Sequence, residues 1–157
     1  MPPIIGKPAP AFELTADDGS IVTREQLRGK PVILYFYPKD DTPGCTREAC
    51  AFRDDIASFR TAKATIVGVS PDSVESHAKF RKKYKLPFTL LSDPDHAVAE
   101  QYGVWGKKKM FAVSFMGIIR TTFLIDADGI LRHIMPVKRV DPHSEQVLEL
   151  LKGMRAK

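Results

Sequence analysis

The chain carries two cysteines, Cys45 and Cys50, five positions apart. Two are too few for a disulfide framework, and a chain of 157 residues, 43% of them apolar, can bury a core without one. The first ten residues, MPPIIGKPAP, contain neither a basic leader nor an apolar stretch, so we expect a reducing, cytoplasmic setting. In that setting a close cysteine pair is more often catalytic or metal-binding than structural.

Cys45 is predicted to open a helix. Apolar side chains recur after it at steps of three, four and three residues, at Ala49, Phe52, Ile56 and Phe59. This stripe predicts a helix over residues 46–60 and places Cys45 at its start, on the core-facing side. Unpaired backbone N–H groups and the helix dipole favour the nucleophilic thiolate there. A structural buried cysteine would satisfy the same spacing, but the adjoining Pro43, Gly44 and second cysteine favour a reactive one.

Cys50 lies out of disulfide reach of Cys45 while the predicted helix is intact. Residues five apart in a helix are separated by about 7.5 Å along its axis, and their Cα atoms lie about 8.6 Å apart. A disulfide needs less than about 7 Å. A bridge therefore requires the first helical turns to unwind, which suits a bond made and broken in a catalytic cycle. The histidines show no metal-ligand spacing with the pair and are predicted to be surface or hydrogen-bonded residues, at His77, His96, His133 and His143.

The elements that position the cysteines alternate between strand and helix. Residues 31–37, PVILYFY, form an apolar run typical of a strand buried on both faces, and residues 65–70 form another. With the helix between them, these strands predict a parallel β-α-β unit. Two short strands precede it, over residues 11–14 and 20–23 around a turn, and a helical turn then ends at Gly29.

The rest of the chain is predicted to complete one α/β domain over residues 1–157. Three helices are expected, at residues 73–84, 94–102 and 142–154, and an antiparallel hairpin at residues 121–125 and 130–135. The sum is an α/β fold with a mixed central sheet flanked by helices, thioredoxin-like in outline.

The net charge of +5 comes mainly from two basic clusters, at residues 79–85 and 107–109. A nucleic-acid or other anionic partner would explain them, but a solvated helix face and a charged loop are favoured, because few aromatic residues are interleaved. No apolar run approaches the roughly 20 residues that a membrane span needs. The sequence therefore predicts no nucleic-acid partner and no membrane.

The stretch YPKDDTPGCTREACAFRD resembles the active-site segment of the peroxiredoxins, whose Pro-x-x-x-Thr-x-x-Cys signature is met by Pro38, Thr42 and Cys45. The cysteine spacing, together with GVSPDS, GVWGKKKM and FMGIIRTTFLID, is similar to the Q-type branch, also called bacterioferritin comigratory proteins. The matching segments run from about Pro8 to the last helix. The resemblance implies a thioredoxin fold with an N-terminal β-hairpin extension.

The resemblance also implies roles for individual residues. Cys45 would be the peroxidatic cysteine, whose thiolate attacks the O–O bond of hydrogen peroxide or an alkyl hydroperoxide and becomes a sulfenic acid. Thr42 would hydrogen-bond the thiolate and the peroxide, and Pro38 would shield the pocket. Arg120 would stabilise the thiolate and the charge that develops on the leaving oxygen. Glu48 would tune the hydrogen bonding of the pocket.

By the same resemblance Cys50 would be the resolving cysteine, forming an intramolecular disulfide that thioredoxin or a similar dithiol protein reduces. No metal or other cofactor is expected. Since both cysteines lie on one helix, a monomer is predicted. The segment FAVSF at residues 111–115 departs from the family, whose members are more polar there and contain glycine.

Two alternatives stay open at this point. A general thiol-disulfide oxidoreductase would carry a Cys-x-x-Cys pair that closes without unfolding, whereas four residues separate Cys45 from Cys50. A non-enzymatic module that binds anions or nucleic acid through the basic clusters is the alternative from another class.

Overall fold

The computed structural model describes residues 3–155. Its strands are β1 (Glu13–Ala16), β2 (Ile21–Thr23), β3 (Val32–Phe36), β4 (Thr65–Ser70), β5 (Thr89–Ser92), β6 (Trp105–Met110), β7 (Val113–Ile118), β8 (Thr121–Ile125) and β9 (Leu131–Pro136). Its helices are α1 (Pro43–Asp54), α2 (Ile56–Thr61), α3 (Val74–Tyr84), α4 (Ala97–Gln101) and α5 (His143–Arg155), with a short 3-10 helix at Glu25–Leu27. Within residues 3–155, no helix has the length and apolar character needed to cross a membrane.

A mixed sheet forms the centre of the fold, with strands in the order β2-β1-β5-β4-β3-β8-β9. The strands β3, β4 and β5 are parallel, whereas β8 runs antiparallel to β3. All five residues of β3 are buried, as its unbroken apolar run predicts. The predicted β-α-β unit, the terminal hairpin β8–β9 and the N-terminal hairpin β1–β2 are confirmed.

Apolar clusters cover both faces of this sheet. One cluster gathers side chains from the N-terminal segment, α4 and one face of β3, including Leu34 and Phe36. The other packs α1, α3 and α5 against the opposite face of β3, where Ile33 and Tyr35 point. Because β3 is buried between the two layers, the chain that leaves its end is held firmly where α1 begins.

Several element boundaries differ from those predicted. The helix expected over residues 46–60 begins earlier, at Pro43, and is interrupted at Asp55, which separates α1 from α2. The Ser144 hydroxyl donates to the Asp55 carboxylate at 2.7 Å, a contact between distant segments that a local pattern cannot contain. The helix expected over residues 94–102 is shorter, because His96 takes a left-handed conformation just before α4.

The prediction of a charged loop at residues 107–109 was wrong, because these lysines lie in β6. Strands β6 and β7 form a separate two-stranded antiparallel sheet, in which Lys107 pairs with Met116 and Lys108 with Phe115. Lysine has a low intrinsic preference for strands, so the local sequence does not indicate a strand here. The segment is a strand because it pairs with β7. Strand β5 was also not predicted.

Candidate active site

The end of β3 and the beginning of α1 place Cys45 in the first turn of a helix. Thr42 occupies the N-cap position in an extended conformation, and Pro43 is the first helical residue, where its missing N–H costs nothing. Cys45 is 1% exposed and packs beside Ala49 and Phe52 in the apolar cluster over β3. The structure therefore confirms that Cys45 lies at a helix start and faces the core.

Arg120 reaches this turn from the neighbouring strand. The antiparallel register pairs Thr121 of β8 with Phe36 of β3, so Arg120, one residue earlier, lies beyond the end of β3. Its Nη2 donates to Cys45 Sγ at 3.2 Å, and its Nη1 donates to the Glu48 carboxylate at 2.7 Å. One guanidinium thus bridges the thiol and a carboxylate that lies one turn further along α1.

The bridge brings opposite charges into a largely buried space. Burial raises the pKa of Glu48 to about 7, although the charge and hydrogen bond of Arg120 act in the opposite direction. Burial alone would lower the pKa of Arg120, but the charges of Glu48 and Cys45 outweigh it and raise the pKa. Arg120 therefore stays a cation beside the sulfur of Cys45.

Gly44 provides the space that the guanidinium occupies. A Cβ atom built on Gly44 would lie 3.3 Å from Arg120 Nη2, closer than most side-chain contacts allow. The glycine thereby lets the arginine approach the first turn of α1, next to the cysteine.

Cys50 lies in the same helix but differs from Cys45 in its exposure and in its neighbouring charges. It is half-buried, and both cysteines are free thiols within the continuous helix α1. Burial raises the pKa of the Cys50 thiol and Asp54 adds to the rise, whereas Arg53 opposes it. Cys50 is thus more strongly protonated than an ordinary cysteine while α1 is folded.

Thr42 and Pro38 lie in the segment between β3 and the first turn of α1, and in the described part of the chain neither hydrogen-bonds the sulfur of Cys45. The Thr42 hydroxyl donates to the Lys39 carbonyl at 2.9 Å, so its proton is directed into the loop and its oxygen can accept a further bond. Pro38 is half-buried two residues after β3. Among the predicted site residues, Arg120 hydrogen-bonds both Cys45 and Glu48.

A buried network anchors the loop between β3 and α1. Asp40 accepts hydrogen bonds from the Tyr37 hydroxyl at 2.6 Å and from Ser76 of α3 at 2.8 Å. His77 Nδ1 lies 2.7 Å from Asp40, while His77 Nε2 donates to the Leu91 carbonyl at 2.9 Å. His77 was predicted to be a surface or hydrogen-bonded residue, but no local pattern connects it with this loop, because its partners are distant in the chain.

Asp40 of this loop belongs to a group of side chains from three segments that could hold a metal ion. Ligand atoms of Asp40, Asp72 and His77 lie within 4.8 Å of one another. Asp72 accepts bonds from the Asp40 backbone N–H at 2.7 Å and from Ser70 at 2.6 Å. Hydrogen bonds within the protein use both ring nitrogens of His77 and an oxygen of each carboxylate. The group is therefore best described as a hydrogen-bond network that connects the loop before α1 to its neighbouring segments.

His143 is a further site neighbour that sequence reasoning missed. It is buried, and its Nε2 lies 2.7 Å from the Thr122 hydroxyl on β8. Burial lowers the pKa of His143 to about 4, and the positive charge of Arg120 adds to this shift. His143 is therefore neutral at physiological pH and adds no second cation beside Arg120.

A thioredoxin-like fold with a cysteine at a helix start, hydrogen-bonded by a half-buried arginine, defines a class of proteins that use a cysteine for redox chemistry. Residues 5–134 match the model of the AhpC/TSA family. The chain belongs to this family, in its Bcp or peroxiredoxin Q branch, and it is a thiol-dependent peroxidase whose two cysteines fit the atypical two-cysteine type.

Individual relatives agree with this assignment over nearly the whole chain. Peroxiredoxin Bcp of Bacillus subtilis is 50% identical over 153 residues, 98% of either chain. The structure of PrxQ from Xylella fastidiosa is similar with a TM-score of 0.90 and 33% identity over 98% of both chains. Bacterioferritin comigratory protein of Xanthomonas campestris, whose structures were described for its alkyl peroxide reduction activity, has a TM-score of 0.86 and 36% identity over 91% of both chains.

Proposed function

We propose that Cys45 is the peroxidatic cysteine. Its thiolate attacks one oxygen of a hydroperoxide, the S–O bond forms as the O–O bond breaks, and the leaving alkoxide or hydroxide takes up a proton to become an alcohol or water. The sulfur is oxidised to a sulfenic acid by two electrons and the peroxide is reduced by the same two. The observation that carries this assignment is the 3.2 Å hydrogen bond from Arg120 to Cys45 Sγ.

Arg120 has a double role in this step. Its guanidinium favours the thiolate before attack and faces the negative charge that develops on the leaving oxygen afterwards. Glu48, bonded to the same guanidinium at 2.7 Å, fixes its orientation. Thr42 Oγ accepts a hydrogen bond from the incoming hydroperoxide, and Pro38 shields the thiolate from bulk water.

We infer that Cys50 resolves the sulfenic acid. Its thiolate attacks Cys45 Sγ, and hydroxide leaves and is protonated to water, which gives an intramolecular disulfide. Because Cα atoms five apart in a helix lie about 8.6 Å apart, the first turns of α1 unwind before this bond forms. Unwinding also exposes Cys50 to water, which removes the burial that raises its pKa.

The remaining assignments follow from this cycle. Thioredoxin or a similar dithiol protein reduces the disulfide in a cytoplasmic, reducing setting. Hydrogen peroxide and alkyl hydroperoxides are the substrates, the latter by analogy with the Xanthomonas campestris relative. The chain acts as one domain over residues 1–157 and as a monomer, since one helix supplies both cysteines, and it needs no nucleic acid.

Measurement of intact mass tests these assignments. One equivalent of peroxide added to the reduced protein should remove two hydrogens, and reduction should restore them. Cys45→Ser should abolish peroxide consumption, whereas Cys50→Ser should consume one equivalent and stop at the sulfenic acid. Full activity in Cys45→Ser would overturn the assignment of Cys45, and repeated turnover of Cys50→Ser with thioredoxin as the only reductant would overturn that of Cys50.

A further inference from the structure

The hairpin of β6 and β7 has no task in the peroxidase cycle. It forms its own two-stranded sheet beside the main one. Its base is well held: Trp105 stacks on His96 with ring centres 3.8 Å apart, and Ile118 is buried. Its far end is open to solvent, because Phe111 is 96% exposed and Val113 is 63% exposed. We call Phe111 and Val113 the apolar tip.

Exposed apolar side chains continue from the apolar tip along β7. Phe115 lies on the same face of the hairpin as Val113 and is 41% exposed, whereas Met116 lies on the opposite face and is 49% exposed. Large apolar side chains left in water close together often mark an interaction site. Phe111 also adopts a left-handed backbone conformation, with φ of 59°, which aromatic residues seldom take. Exposure of the apolar tip to water and the left-handed backbone of Phe111 both cost free energy. This cost indicates that the apolar tip is a binding surface.

Positive charge accompanies the apolar tip. Lys107 and Lys109 are exposed on one face of β6, and we call them the lysine row, whereas Lys108 is half-buried on the other face. Residues 101–125 contain these three lysines and Arg120, and no Asp or Glu. A partner for this hairpin must therefore combine an apolar interior with an anionic surface.

The spacing along the hairpin fits a lipid bilayer. At about 3.3 Å per residue, Lys109 lies about 7 Å and Lys107 about 13 Å from Phe111 along the strand. Interfacial apolar groups enter a bilayer by about 5–10 Å, to the boundary between headgroups and acyl chains. When the apolar tip is at that depth, the lysine row lies at the level of the lipid phosphates.

A protein partner fits the hairpin less well. A stable protein interface buries about 800 Å² on each side, whereas the apolar tip is a narrow projection of a few residues. A second copy of this chain would bring two lysine rows together, and like charges would oppose the contact. The shape and the charge together favour an anionic lipid surface.

We propose that the hairpin β6–β7 docks the protein on anionic membrane surfaces, with the apolar tip inserted and the lysine row on the headgroup phosphates. The expectation of no membrane partner rested on the lack of a spanning segment, and a hairpin of this kind attaches to the surface without spanning.

Docking of the hairpin also places the active site near the lipid. Strand β7 continues through Ile119 directly into Arg120. Burial lowers the pKa of Lys108, and the charge of Arg120 adds to this shift, which marks Lys108 as a close neighbour of the site. On the assumption of the proposed function, hydroperoxides carried by membrane lipids are then a substrate class within reach of Cys45.

Vesicle co-sedimentation tests the docking itself. We expect binding to vesicles of phosphatidylglycerol and phosphatidylcholine in equal parts, weaker binding to pure phosphatidylcholine, and release by salt. Lys107→Gln with Lys109→Gln should weaken binding about twenty-five-fold, since each lysine near an anionic surface contributes roughly fivefold. Phe111→Ser with Val113→Ser should weaken it about tenfold or more.

Matched control variants are available on other surfaces. Lys79→Gln with Lys82→Gln removes two exposed lysines of α3, and Ile21→Ser removes an apolar side chain that is 50% exposed in β2. Neither should change vesicle binding. Absence of binding by the unmodified protein, or equal losses in the control and hairpin variants, would overturn the proposal. It would also be overturned if duplex DNA bound more tightly than the vesicles, or if the tip variants instead dissociated a dimer in light scattering.

A second measurement separates docking from catalysis. Phosphatidylcholine hydroperoxide embedded in the anionic vesicles should be reduced more slowly by both hairpin variants, while reduction of dissolved hydrogen peroxide stays unchanged. Reduction of hydrogen peroxide without vesicle binding would refute the docking and leave the peroxidase assignment intact. Vesicle binding without any peroxide reduction would refute the peroxidase assignment and leave the docking intact.

Discussion

Helix α1 holds its two cysteines in different surroundings. Cys45 is fully buried, yet its sulfur accepts a hydrogen bond from a permanent cation at 3.2 Å. Cys50 is half-buried and has a raised pKa, which burial causes and Arg53 only partly offsets. In the folded helix a cation therefore faces the sulfur of Cys45, whereas burial keeps the thiol of Cys50 protonated. The difference suggests that peroxide attack belongs to the folded helix and disulfide formation to the unwound one.

Removal of the Arg120 guanidinium should have the largest effect on this contrast. Arg120→Gln is expected to slow the reaction of reduced protein with hydrogen peroxide about 100- to 1,000-fold, the usual effect of losing one preorganised donor to developing negative charge. The rate constant of Arg120→Lys should lie between those of Arg120→Gln and the unmodified protein, because an ammonium supplies charge but cannot bridge Cys45 and Glu48 in the same geometry. Stopped-flow measurement of the second-order rate constant checks both variants.

Arg132→Gln is the matched control for these variants. Arg132 is also paired with a carboxylate, Asp126, at 2.7 Å, but it lies on the exposed side of β9. Its substitution should leave the rate constant unchanged. If Arg120→Gln kept the rate of the unmodified protein, the guanidinium would have no part in activating Cys45.

The next largest expected effect is the contribution of Glu48 to the pH dependence of the free energy of unfolding. Burial raises its pKa in the folded protein to about 7 from an ordinary 4.5. The native state then binds more protons than the unfolded state, so the free energy of unfolding falls as pH rises from about 4.5 to about 7. The full loss is about 3 kcal/mol, from 1.36 kcal/mol for each pH unit.

Urea denaturation of the reduced protein measures this dependence as the difference from Glu48→Gln. His143 contributes a slope of opposite sign, because burial lowers its pKa to about 4, but it is present in both proteins and cancels in the difference. Glu145→Gln on the exposed side of α5 is the control and should show a constant difference. A constant difference for Glu48→Gln as well would mean that Glu48 is ionised throughout.

Sequence reasoning predicted the parts of this site that depend on local patterns. The apolar run of β3 and the stripe from Ala49 to Phe59 located both ends of the turn that carries Cys45. The resemblance to peroxiredoxins drew attention to Arg120 and Glu48, and the register of β8 against β3 brings them together.

Contacts between distant segments escaped prediction. Asp55, at the break between α1 and α2, accepts a hydrogen bond from Ser144 of α5, and Asp40 in the loop before α1 contacts His77 of α3. Strand β6 was missed because three lysines in succession give no strand pattern, and its pairing with β7 compensates for their low preference. These features follow from tertiary partners, which composition and periodicity do not contain.

The smallest expected effect concerns Cys50 and separates electrostatics from burial. In a Cys45→Ser background Cys50 is the remaining thiol, and its alkylation rate at fixed pH follows its thiolate fraction. Arg53→Gln removes the cation that lowers the pKa of Cys50, so alkylation should slow by about twofold, whereas Asp54→Asn removes an anion and should accelerate it by about twofold. General loosening of α1 would accelerate both variants. Opposite changes would therefore show that charge as well as exposure controls the resolving thiol, and acceleration of both would assign its reactivity to unwinding alone.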